Sequence, residues 1–193
     1  QECQQLIKLS EKQKYGPAYV RTDDNKGQQL NLEGRNNSRV MIDSAEMAHF
    51  FYERVQQYVP QIWNKRKVIT FNERLRFLRY YGGEYFKLHM DGPYQRENGE
   101  RSWITALIYL NEGFKGGCTV LHDLYDSANN KPLVPETGMV VLFQHDIWHE
   151  GEELIKGKKY IIRTDIMYEA NECKQDKKTA IEVEEEKKEK DDP

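Results

Sequence analysis

Two imidazoles and one carboxylate have a spacing that could do chemistry. His89 and Asp91 are two positions apart, and in an extended segment residues i and i+2 share a face about 7 Å apart, within reach of one metal ion. A lone His-x-Asp pair fits a plain surface strand equally well. His149 follows 58 positions after Asp91, inside residues 142–151 (LFQHDIWHEG), and completes a set of two histidines and a carboxylate. Such a set holds three positions on one face of Fe(II) and leaves the others open. His145, four residues earlier, competes with His149 on residue type alone. Lys159 lies ten positions past His149, and Arg163 alternates onto the same strand face.

These residues need strands to aim them. From residue 67 the apolar period becomes two, and the candidate strands are 67–70, 74–80, 85–91, 103–110, 118–122, 139–143 and 159–168. The separators carry turn chemistry: Gly82-Gly83, Asn98-Gly99, Gly116-Gly117, Thr137-Gly138 and Lys156-Gly157. Before them, Cys3, Leu6 and Ile7 predict an amphipathic helix ending near Ser10, and residues 11–38 read as loop with one short strand near Ala18. Asp43 and Glu46 have capping-box spacing. Met47, Phe50, Phe51, Val55 and Tyr58 then form one stripe of a helix stopped by Pro60. Short strands after a helical start imply a mainly β fold, a sandwich or barrel with helices on one sheet. Trp63 and Trp103 are expected in the core or in helix-to-sheet packing.

The combination resembles the 2-oxoglutarate- and Fe(II)-dependent oxygenases, and within them the prolyl 4-hydroxylase-like branch, with its His-x-Asp, distal His and basic residue about ten positions on. The flanking pieces agree. They are Arg79-Tyr80, Thr105-x-x-x-Tyr109-Leu110-Asn111, Phe114-x-Gly116-Gly117-x-Thr119, and His149-Glu150-Gly151. The resemblance spans roughly residues 35–168. It departs at Cys118, where the family usually carries an acidic residue outside the metal set.

The resemblance implies a double-stranded β-helix (jelly-roll) core over about 67–170, a helical part over about 1–66, and one oxygenase domain over 1–170 followed by a charged tail, 171–193. It implies that His89, Asp91 and His149 hold Fe(II), since the step to Lys159 and the Glu150-Gly151 pair fit from His149 and not from His145. The far carboxylate of a bound 2-oxoglutarate would be buried and would need a cation and a hydroxyl. Lys159 and Tyr109 would supply them, with Tyr80 a second candidate hydroxyl and Thr105 and Leu107 lining the same face. Arg163 is the alternative anchor, because a guanidinium grips a carboxylate bidentately. Trp148 would wall the site, and Arg35 and Arg39 would face substrate. The implied reaction consumes O2 and 2-oxoglutarate, gives succinate and CO2, and hydroxylates a C–H bond, with a peptidyl proline favoured and ascorbate as reductant. A free amino acid or other small molecule is the rival substrate, and a non-catalytic binding module is the rival class.

Composition sets the remaining bounds. A chain of 193 residues suits one domain. A formal charge of −3 with acids and bases interspersed offers no face for nucleic acid, and no apolar run reaches the length of a membrane span. Cys3, Cys118 and Cys173 are odd in number and widely spaced, which favours a reducing, cytoplasmic setting. The secretory pathway is the alternative if a leader has been removed, and would give the sequon Asn36-Asn37-Ser38 a meaning. Nothing in the sequence fixes an oligomeric state.

Overall fold

The alternating stretches become two antiparallel sheets. The computed structural model describes residues 1–21 and 28–170; the charged segment 171–193, with Cys173, lies outside them. The strands that carry the architecture are Ser38–Asp43 (β1), Arg66–Phe71 (β2), Arg74–Tyr81 (β3), Phe86–His89 (β4), Arg101–Tyr109 (β5), Thr119–Leu121 (β6), Lys131–Leu133 (β7), Val140–Gln144 (β8), His149–Gly151 (β9) and Lys158–Tyr168 (β10). The helices are Glu2–Glu11 (α1) and Ala45–Val55 (α2).

The major sheet runs β1, β3, β10, β5, β8, and the minor sheet runs β7, β6, β9, β4. From β3 onward the chain passes back and forth between them, with β6 and β7 pairing in the minor sheet before β8 returns to the major one. This is the jelly-roll core with flanking helices that the sequence implied. β2 and β3 lie end to end along one edge of β10, Phe71 opposite Ile166 and Arg76 opposite Arg163. On the other edge Arg163 faces Leu107.

The two faces of the major sheet have different tasks. On the outer face Phe77 of β3, Ile104, Ala106 and Ile108 of β5, and Tyr160, Ile162 and Ile166 of β10 pack against Ala48, Phe51 and Tyr52 of α2. Each large apolar side chain buried there stabilises the fold by about 1.5–3 kcal/mol. Between the sheets a smaller cluster of Leu78, Tyr80, Leu107, Tyr109, Phe143, Leu154 and Ile161 closes one end and leaves the other to polar residues.

The helices depart from the sequence expectation in detail. The N-cap of α2 is Ser44, whose hydroxyl accepts from the Met47 N–H at 3.2 Å. Asp43 ends β1 and takes a two-pronged grip from Arg74 at 3.1 Å instead. The buried stripe is Ala48, Phe51 and Tyr52, the i, i+3, i+4 set, while Phe50 and Tyr58 are exposed. α1 is tied down at both ends. Glu2 pairs bidentately with Arg54, and Glu11 accepts from Tyr160 Oη at 2.6 Å and from Arg79.

Candidate active site

β4 and β9 are neighbours in the minor sheet with His149 directly opposite His89. Strand pairing therefore joins two residues far apart in sequence. The expected strand to Asp91 stops at His89, yet the alternation persists, since Leu88 and Met90 are exposed while Asp91 turns inward. The Asp91 N–H donates to the His145 carbonyl at 3.0 Å, which fixes this turn. As a result the ligand atoms of His89, Asp91 and His149 all lie within 4.8 Å of one another.

Both imidazoles are preset for a metal. His89 Nδ1 lies 2.7 Å from the Lys87 carbonyl and His149 Nδ1 2.9 Å from that of Ile147. A carbonyl only accepts, so Nδ1 carries the proton in each ring and Nε2 presents a lone pair. Phe86 stacks on His89 with centroids 3.5 Å apart, and Phe143 meets His149 edge-on at 4.6 Å. Burial, with His149 adjacent, pushes His89 down to about 3, and burial also lowers His149, so both rings are neutral near neutral pH.

The carboxylate is held from the major sheet. Arg163 grips Asp91 through Nε to Oδ2 at 3.2 Å and Nη2 to Oδ1 at 3.1 Å, while Thr105 donates to Oδ2 at 2.6 Å. Burial alone would raise the Asp91 carboxyl; Arg163 and the two imidazoles outweigh it and hold the group below the usual range. Behind it Asp165 pairs with Arg163 and Arg76, each at 3.0 Å.

His145 is buried and committed elsewhere. Thr105 already gives its proton to Asp91, so it must accept from His145 Nδ1 at 2.9 Å, leaving Nε2 to accept from Ser102 Oγ at 2.8 Å. Ser102 in turn accepts the Tyr94 N–H. Both ring nitrogens are thereby engaged, and His145 supports Asp91 from outside the cluster of three ligand atoms.

A cavity of about 940 Å³ opens onto the three ligands, lined by Tyr80, Leu107, Thr119, Ile161, Lys159 and Arg163 among others. Lys159 is 1% exposed, its ammonium donating to the Gly117 carbonyl and lying 5.3 Å from the Tyr80 ring. It makes no ion pair with any described residue, and burial pushes it down to about 8. Tyr109 is fully buried and does not reach the cavity wall; its hydroxyl donates at 2.7 Å to Thr119 Oγ1, which does. Thr105 likewise sits behind the wall, on Asp91. Arg35 and Arg39 line the mouth, whereas Trp148 is half-buried and off the cavity, its carbonyl accepting from His122 N–H. Sequence reasoning missed the wall position of Thr119, although its motif was visible. It also missed the Arg163–Asp91 pair, which needs the β10–β5 register.

A sequence model of the 2OG-Fe(II) oxygenase superfamily matches residues 75–164, from β3 into β10. No curated protein sequence matches the chain. Among solved structures, it is similar to a prolyl hydroxylase from Trichoplax adhaerens in complex with a hypoxia inducible factor oxygen degradation domain peptide fragment (16% identity, 86% of this chain and 78% of that one, TM-score 0.64). It is also similar to a Pseudomonas putida prolyl-4-hydroxylase (16%, 86% and 83%, 0.59) and to the viral collagen prolyl hydroxylase of Paramecium Bursaria Chlorella virus-1 in its 2OG complex (19%, 86% and 89%, 0.57). By sequence match and fold together, the chain resembles the 2OG-Fe(II) oxygenases. Its fold is similar to that of the prolyl hydroxylases among these solved structures.

Proposed function

We propose that this chain is a 2-oxoglutarate- and Fe(II)-dependent hydroxylase acting on a peptidyl proline. The observation that carries the reading is the pairing of two unmatched requirements in one cavity: three convergent ligand atoms, and a buried Lys159 ammonium with no carboxylate partner among the described residues. The donor set fits Fe(II), two neutral imidazoles and one ionised carboxylate leaving positions open. Bound Fe(II) would supply the coupling of 2-oxoglutarate decarboxylation to oxygen insertion at a C–H bond.

The protein's own residues do the placing. Lys159 meets the far carboxylate of 2-oxoglutarate with a charge-assisted bond, and Thr119, oriented by Tyr109, supplies the accompanying hydroxyl. Leu107, Ile161 and Tyr80 keep that end dry, which strengthens the ion pair. Arg163 is occupied by Asp91 and Asp165, so it holds the metal carboxylate and leaves the co-substrate to Lys159. The prolyl substrate is supported by the fold shared with the peptide-bound Trichoplax enzyme.

The test is succinate release from 2-oxoglutarate by the full chain with Fe(II), O2 and ascorbate, with and without proline-containing peptides. The peptide should stimulate release and gain one oxygen atom on the proline. Succinate release that no proline peptide stimulates would refute the prolyl reading, and no release under any condition would favour a binding module.

A further inference from the structure

The inner face of a jelly-roll sheet is normally apolar, and here its open end is lined with arginine. Among the described residues, seven cationic side chains line the cavity against one carboxylate, Asp91. Arg76 and Arg163 sit directly opposite each other on β3 and β10, a like-charge pairing that is unfavourable unless an anion lies between. Asp165 fills that place and is matched by the two of them. Arg74 is matched by Asp43, and Lys159 by the co-substrate on the reading above.

The cation that this matching leaves over at the mouth, among the described residues, is Arg35. It is 7% exposed, its Nε donates to Asn37 Oδ1 at 2.6 Å, and its guanidinium lies 4.2 Å from the Phe86 ring. It pairs with no carboxylate among the described residues, though it faces the cavity. Arg39, on β1, faces the cavity beside it. Burial pushes Arg39 down to about 10, with Arg35, Arg76 and Arg163 adding to the effect, a sign of strong local positive potential.

We propose that the mouth of this cavity selects substrates bearing a carboxylate one to three residues from the hydroxylated position. The proposal rests on the peptide hydroxylase reading and adds the charge of the substrate to it. The spacing follows from the sheet. Arg35 bridges Phe86 of β4, its guanidinium 4.2 Å from the ring that stacks on His89 with centroids 3.5 Å apart, so it stands within about 8 Å of that imidazole. An extended peptide advances about 3.3 Å per residue. A guanidinium can then take an aspartate or glutamate side chain bidentately, at a site where desolvation strengthens the bond.

Binding of fluorescent peptides to the full chain with Fe(II) and 2-oxoglutarate, under nitrogen, tests this. A proline peptide with glutamates within three residues should bind roughly tenfold tighter or more than its glutamine counterpart, the size of one charge-assisted contact. The gap should shrink in high salt, and Arg35→Gln should narrow it by weakening the acidic peptide alone. Equal binding, within about twofold, of the glutamate and glutamine peptides would overturn the proposal, as would displacement of the acidic peptide by a short oligonucleotide at equal concentration. A glutamate peptide that binds as well with alanine in place of proline, and is not hydroxylated, would uphold the carboxylate site while refuting the prolyl reading. Displacement by free glutamate would likewise uphold the site and assign the carboxylate to a small molecule.

Discussion

Replacing Lys159 with methionine should destroy 2-oxoglutarate use while making the ligand-free protein more stable. Burial lowers the Lys159 ammonium from an ordinary 10.5 to about 8, and at about 1.4 kcal/mol per pH unit that is a cost of about 3 kcal/mol for holding the charge inside at neutral pH. Methionine removes the cost and fills similar space, but forfeits the hydrogen bond to the Gly117 carbonyl, about 1 kcal/mol. The net gain of about 1–2 kcal/mol corresponds to a rise of roughly 2–8 °C in Tm for a domain of this size. With the co-substrate bound the balance reverses. Its far carboxylate would be buried and unmatched, a loss of about 3–5 kcal/mol, so KM for 2-oxoglutarate should rise by roughly two to three orders of magnitude or turnover should vanish. Thermal unfolding with and without 2-oxoglutarate, beside a KM measurement, reads both effects. If Lys159→Met lowers the ligand-free Tm, or leaves KM unchanged while Arg163→Met raises it, the assignment is refuted.

The same group sets a pH dependence whose sign can be worked out. Its folded pKa lies below the unfolded value, so between about 8 and 10.5 the unfolded chain holds more protons, and this group's contribution to the stability of the ligand-free protein rises with pH there. Affinity for 2-oxoglutarate moves the other way, because the charge is lost above about pH 8. Tyr109→Phe frees Thr119 from its orienting bond and should raise KM for 2-oxoglutarate about tenfold, less than Lys159→Met, in the same assay. His149→Ala should abolish Co(II) binding seen by visible absorption, whereas His145→Ala should weaken it only in part; the opposite order would refute the ligand set. Arg163→Met leaves Asp91 and Asp165 buried beside each other and should destabilise the ligand-free protein by about 3–5 kcal/mol, seen in urea unfolding.

Legibility divided along physical lines. His89, Asp91 and His149 were visible because strand periodicity and a fixed motif both constrain them, and alternation on β10 put Lys159 and Arg163 on one face without any structure. β1 was not visible: Ser38–Asp43 has only Val40, Met41 and Ile42 as apolar residues and follows a polar stretch, and its identity as a strand comes from pairing with β3. The cap of α2 was misplaced for a related reason, since Asp43 and Ser44 are both good caps and only the pull of β1 on Asp43 decides between them. The commitment of His145 to Ser102 and Thr105 depends on β8 lying beside β5, a tertiary fact with no local signal.

The choice between Lys159 and Arg163, open on residue types, is made in the proposed reading from the geometry of one strand. One inward position, Ile161, lies between them on β10, which sets them about 13 Å apart along the backbone. Arg163 stands at the metal end, its guanidinium spent on Asp91 and Asp165, where a lysine could not grip both acids with a planar fork. Lys159 stands at the dry end among Tyr80, Leu107 and Ile161, where a compact ammonium on a flexible stem reaches the Gly117 carbonyl and leaves donors for an incoming carboxylate. Exchanging the two residues should therefore fail at both positions. The double variant Lys159→Arg with Arg163→Lys keeps net charge, yet should lose metal affinity and co-substrate affinity together. If the exchanged protein kept both, charge alone would account for the site, and the division of labour along β10 would be wrong.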